Sequence, residues 1–133
     1  MIKSIAPDRK PDDYGKGHFG ASRGKRKHNG KDYAVWPNSK IFSPVEGEIT
    51  KIGYPYGDDL AFRYVQITIN SGFSVRIFYI EPVVSVGDFV TKETIIGSSQ
   101  SLLKRYKNGM TPHIHLEVKN LQGEFIDPKE LGL

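Results

Sequence analysis

From residue 40 onward, Gly, Pro, Asn and Asp cut the chain into short stretches in which apolar and polar residues alternate. That punctuation constrains the fold more than any other feature. Lys40 to Ile52 holds short strands broken by a turn at Pro44 and by Gly47. Phe62 to Ile69 alternates through Arg63, Val65, Gln66 and Thr68, as a half-buried strand does. Asn70-Ser-Gly72 is a hairpin turn, and Phe73 to Ile80 is the returning strand. Val86-Gly-Asp88 is a further turn ahead of Ile95-Ile96, and His113 to Val118 alternates again. Only Ser99 to Tyr106 has a helical pattern, and it is short. Strands spaced about ten residues apart predict an all-β chain with a small antiparallel sandwich or barrel-like core.

Length and composition narrow the class. The 133 residues suit one domain, and 38 % apolar content is too high for a disordered chain. There is no cysteine, which removes disulfides, thiolate catalysis and Cys-based metal sites together. No apolar run approaches the roughly 18–20 residues of a membrane span, so no membrane partner is expected. Met1-Ile-Lys-Ser-Ile-Ala-Pro7 has no signal-peptide core.

Charge is concentrated at the front. Residues 1–31 carry nine Lys/Arg against three Asp, whereas the other 102 residues carry ten against twelve acids. Six Gly and Pro residues between Pro7 and Gly24 make this region irregular, and the division expected is an arm over 1–14 and a domain over 15–133. A basic arm suits a polyanion, either nucleic acid or a cell-wall polymer, or else it is a solvated loop. Nucleic acid is the weaker reading, because only Tyr14 and Phe19 are interleaved with the basic residues.

The chemistry gathers in two groups. His28-Asn-Gly-Lys-Asp32 sets an imidazole and a carboxylate four positions apart, and His113-Ile-His115 sets two imidazoles two apart. Residues two apart on a strand share a face, so His113 and His115 point into one space. Four residues of straight strand span about 13 Å, too far for two ligands of one ion, so the chain must bend at Gly30. A His-Asp-His set with one open position suits a catalytic zinc, on which bound water falls to a pKa of about 7.

Together these segments resemble the lysostaphin-type zinc peptidases, which cleave peptides in bacterial peptidoglycan. Phe19 to Asp32 is similar to that family's entry segment, which ends in His-x-Gly-x-Asp. Phe42-Ser-Pro-Val-Glu-Gly-Glu-Ile49 resembles its Pro-x-x-Gly strand pair. Val86-Gly-Asp-Phe-Val-Thr-Lys-Glu-Thr-Ile-Ile-Gly97 resembles its Val-Gly-Asp block. Pro112-His-Ile-His-Leu-Glu-Val118 resembles its Pro-His-Leu-His-Phe-Glu strand, and Gly123-Glu-Phe-Ile-Asp-Pro128 its Asp-Pro ending.

The resemblance implies zinc held by His28, Asp32 and His115, with His113 as the nearby base or oxyanion-stabilising histidine. It also implies a β-core whose loops, here including Gly53 to Asp59, wall a narrow groove. The activity implied is a zinc endopeptidase acting as a monomer on cell-wall peptides, either as part of a secreted protein or as a phage lysis or virion protein. One departure stands out. The family carries a histidine in a Tyr-x-His-Leu segment, and Phe78-Tyr-Ile-Glu-Pro82 offers Glu81 there. Glu81 acts as general base, or His18 or a tyrosine hydroxyl substitutes, or catalysis is lost. In the last case the chain is a zinc-containing module that binds cell-wall peptide. The same segment resembles leukocyte-cell-derived chemotaxin, a zinc-binding relative not thought to be a peptidase.

Overall fold

The computed structural model describes residues 20, 22–23, 26–27, 29–102 and 112–133. The expected arm over 1–14, His18 and His28 lie outside them. In chain order the strands are β1 (Ser22–Arg23), β2 (Arg26–Lys27), β3 (Lys31–Ala34), β4 (Lys40–Phe42), β5 (Gly47–Gly53) and β6 (Tyr64–Thr68). There follow β7 (Ser74–Phe78), β8 (Ile80–Pro82), β9 (Phe89–Val90), β10 (Ile95–Ser99), β11 (His113–Lys119) and β12 (Phe125–Ile126). A 3₁₀ turn over Pro128–Leu131 closes the chain, capped by the Asp127 carboxylate, which accepts from the Lys129 N–H.

Every strand pair described is antiparallel, and the all-β class holds. The main sheet runs β12-β11-β7-β6-β5-β9, with β3 added beside β11. A second sheet runs β4-β10-β8, and β1 with β2 makes a small ribbon. Hairpin turns fall at the expected glycines: Gly72 and Gly87 both take positive φ, where a side chain would be strained.

Strand register sorts the main sheet into rows. On its inner face Ile49, Ile67, Val75 and Val118 lie side by side, as do Val65, Ile77 and Leu116. All are sealed from solvent and pack with Ile41, Ile80 and Ile96 of the second sheet. The outer face is polar around its middle. Arg76 Nε donates to Gln66 Oε1 at 2.7 Å, and Gln66 Nε2 donates to Thr50 Oγ1 at 3.0 Å. Close packing of these rows fixes the register, and with it which side chains the outer face presents.

Two expectations need correction. The stretch Phe73 to Ile80 is not one strand: Tyr79 adopts φ 71°, β7 stops at Phe78, and β8 departs into the second sheet. The helix expected from Ser99 does not start there either. Ser99 ends β10, donating from Oγ to the Trp36 carbonyl at 2.8 Å and accepting from the Ser39 N–H, and residues 100–102 are not helical. Residues 103–106 of that stretch lie outside the described ones.

Truncating Ile77, which is fully buried between Val65 and Leu116, should lower unfolding free energy by about 3 kcal/mol. Val86→Ala, at an exposed position, should stay within about 0.5 kcal/mol. Urea denaturation of the two variants checks this.

Candidate metal centre

One row of the outer face carries the chemistry. Cross-strand pairing sets Tyr64, Phe78, His115 and Asp32 side by side on β6, β7, β11 and β3. Directly opposed residues stand about 5 Å apart at Cβ, so imidazole and carboxylate meet without any loop having to deliver them. His115 Nδ1 lies 2.7 Å from Asp32 Oδ1. Asp32 is only 2 % exposed, and its second oxygen lies 3.5 Å from His113 Nε2. Phe78 closes the other side of His115, with ring centroids 5.3 Å apart. The period of two that places His113 and His115 together holds, while Ile114, Leu116 and Val118 between and beyond them go to the core.

Glu117 is a site residue that the histidine spacing does not point to. It stands two residues beyond His115 on the same face, and its Oε1 lies 3.0 Å from His115 Nε2. Only the alternation His113, His115, Glu117 could have signalled it. Glu117 accepts the Nε2 proton, which leaves the Nδ1 lone pair of a neutral His115 facing Asp32. That is the tautomer a metal-binding imidazole needs, fixed by a carboxylate at its far nitrogen. In the metal-free protein a proton sits between His115 and Asp32: burial acts to lower the His115 pKa, but hydrogen bonds donated to both carboxylates, and the carboxylates' charge, raise it to about 9. Nitrogen and carboxylate donors are of the type zinc takes, and among the described residues no group of three or more His, Asp and Glu side chains is assembled around one point.

The bend expected at Gly30 is present, and packing demands glycine. A Cβ there would overlap the Leu116 carbonyl oxygen and stand 2.8 Å from His115 Cε1. The Asn29-Gly30 bend thus lies against the His115 ring.

Tyr79 walls the site beside His113, ring against ring at 5.7 Å and 88°. It also stacks on Tyr56 with the two hydroxyls 2.9 Å apart, and meets Phe62 edge-on at 5.9 Å. Beyond this aromatic wall, Glu81 lines a separate cleft of about 530 Å³ with Phe62, Asn38, Ser98 and Gln100. The structure therefore brings Asp32, His113 and His115 together and places Glu81 in this separate cleft.

Folded-state protonation of His115 is raised above the unfolded value of 6.5. In metal-free protein its contribution to stability should be complete below pH 6.5 and lost as pH rises through about 9. Glu117→Gln should lower the His115 pKa, read by NMR titration of the ring protons. Gly30→Ala should destabilise the fold and move the His115 resonances.

A family model described as Peptidase family M23 matches residues 26–128. Mouse leukocyte cell-derived chemotaxin-2 is 33 % identical over 115 residues, spanning 86 % of this chain and 75 % of that protein. The catalytic domain of the antimicrobial peptidase lysostaphin from Staphylococcus simulans superposes with a TM-score of 0.65 at 23 % identity, over 92 % of this chain and 91 % of that domain. A zinc-containing peptidase from Vibrio cholerae does so with a TM-score of 0.65 at 22 % identity, over 96 % of this chain. The chain spans 39 % of that peptidase and 54 % of the lysostaphin solution structure. Among the described residues no helix is long and apolar enough to cross a membrane. Sheet order, the paired outer-face row and the family match over 26–128 agree: this chain belongs to peptidase family M23.

Proposed function

We propose that the protein is a zinc-dependent endopeptidase that hydrolyses peptide bonds in bacterial peptidoglycan. The observation that carries this is the Asp32–His115–Glu117 chain on one sheet face, with His113 Nε2 beside the same carboxylate. Asp32 and His115 Nδ1 are two of the proposed zinc ligands, and His28 is the third. The assignment of His28 comes from the family's His-x-Gly-x-Asp motif, matched by His28-Asn-Gly-Lys-Asp32.

Bound zinc supplies Lewis acidity and makes water a nucleophile near neutral pH. The chain's residues do the rest. Glu117 orients His115. His113 Nε2 takes the proton of the attacking water and returns it to the leaving amine, a transfer that contributes about 10²–10⁴-fold. Asp32 Oδ2 steadies the imidazolium formed between those steps. Phe78 and Tyr79 keep bulk water from the two imidazoles.

A second reading is binding of zinc and cell-wall peptide without cleavage. It is supported by Glu81 at the position of the family's further histidine, and by the likeness to chemotaxin-2.

Zinc-loaded protein incubated with purified sacculi should release new amino groups. Retention on sacculi with no such release, while zinc is verified as bound, selects the second reading. Asp32→Ala should lose zinc in equilibrium dialysis. His113→Ala should keep it and cut the cleavage rate at least about 100-fold.

A further inference from the structure

The cleft that holds Glu81 is a place the proposed chemistry does not use. Two aromatic rings link it to the metal centre: Phe62 lines it, Phe62 meets Tyr79 at 5.9 Å, and Tyr79 meets His113 at 5.7 Å. Those two ring-to-ring steps correspond to roughly three residues of extended peptide at about 3.3 Å each. The Phe62 wall of the cleft is therefore no farther from the His113 ring than an extended peptide of three or four residues can reach.

The walls are fixed. Gln100 donates from Nε2 to the Ala61 carbonyl at 2.6 Å and accepts from the Arg63 N–H at 3.0 Å, which ties the second sheet to the 54–63 segment. Ser99 is bound to Trp36 and Ser39. Those side chains are committed to the fold. Glu81 and Ser98 are not so committed: they face each other in register across β8 and β10, on the face away from the core. Among the described residues neither side chain is engaged in a hydrogen bond or ion pair. Lys40 pairs with Ser98 from the far side, so it sits two strand spacings, about 9.6 Å, from Glu81.

We infer that this cleft binds a primary ammonium group of the peptide substrate, with the Glu81 carboxylate as its charged partner. The chemistry of the lining selects that group. Among the described lining residues Glu81 alone is ionised, and its carboxylate attracts cations. The Ser98 hydroxyl and the Asn38 amide oxygen add neutral acceptors, and an ammonium carries three donors and no acceptor. The inference rests on the reading that the substrate is a peptide laid across the metal centre. It assigns Glu81 to choosing and positioning that peptide rather than to proton transfer.

The test uses zinc-loaded protein and end-capped glycine hexapeptides in which one lysine is walked through each position. Each peptide is made with its side-chain amine free and acetylated, beside an all-glycine control. Binding is followed by NMR shift titration and cleavage by chromatography. At one or two lysine positions the free amine should bind about tenfold tighter than its acetylated twin. Glu81→Gln should erase that preference, and Glu81→Asp should keep part of it; melting curves establish that both variants are folded. Equal binding of free and acetylated peptides at every position overturns the inference, as does a preference that survives Glu81→Gln or no binding up to millimolar peptide. Amine-selective binding without cleavage overturns the peptidase reading alone. Cleavage indifferent to acetylation overturns the ammonium site alone.

Discussion

The antiparallel register that lays β3 and β7 on either side of β11 is the constraint on which the candidate site depends. It puts Asp32 opposite His115 on one side and Phe78 on the other. A slip of one residue would turn every side chain of β3 to the opposite face. Asp32 would then enter the core, and Tyr33, which is fully buried, would come out. The register is held by the core itself, because Tyr33, Ile114, Leu116 and Ile77 must all face inward together. Hydrophobic burial on one face thus sets the geometry of the polar centre on the other.

This division explains how a buried carboxylate is tolerated. Taking Asp32 out of water is costly unless it is paired. His115 and His113 lie at its two oxygens, and Glu117 holds the far nitrogen of His115. Asp32 and Glu117 thus take one ring nitrogen each of the same imidazole. The apolar rows beneath supply the burial that offsets the cost of holding this polar cluster in place.

Much of the fold was legible along the chain. The turns at Gly72 and Gly87 and the strands at 64–68 and 113–119 follow from alternation and glycine placement, which are local properties. The break at Tyr79 was not legible. Ile77-Phe-Tyr-Ile80 is an unbroken run of β-branched and aromatic residues that reads as strand, and a tyrosine at φ 71° runs against its own preference. Tertiary bonds impose it: the N–H groups of Tyr79 and Ile80 both donate to the Arg63 carbonyl, and the Tyr79 carbonyl accepts from the Gln100 N–H. Ser99 was read as helical for the same reason, since its ties to Trp36 and Ser39 join residues about sixty apart. In the site, spacing was enough to place His113 and His115 on one face, and pairing with β3 then added Asp32. Glu117 needed the same alternation carried two residues further. His28 lies outside the described residues, so the structure bears on it only through the bend at Asn29-Gly30.

The strain at Tyr79 has a consequence for how the molecule is organised. A non-glycine residue in this conformation costs on the order of 1–3 kcal/mol and persists only where surrounding structure over-determines it. Here it achieves two things at one residue. The backbone passes from the main sheet into the second, which carries Glu81 away from the row holding His115. The ring stays behind, against Tyr56, Phe62, Phe78 and His113. A straight strand would have kept both on the ladder of β7 and left His113 without that wall. The turn therefore separates the two charged features of this surface, a metal-type centre and a lone carboxylate, while one aromatic side chain touches the imidazole of the first and a lining residue of the second. Such an arrangement suits a surface on which one extended ligand is held at two points, with the shared ring setting the distance between them.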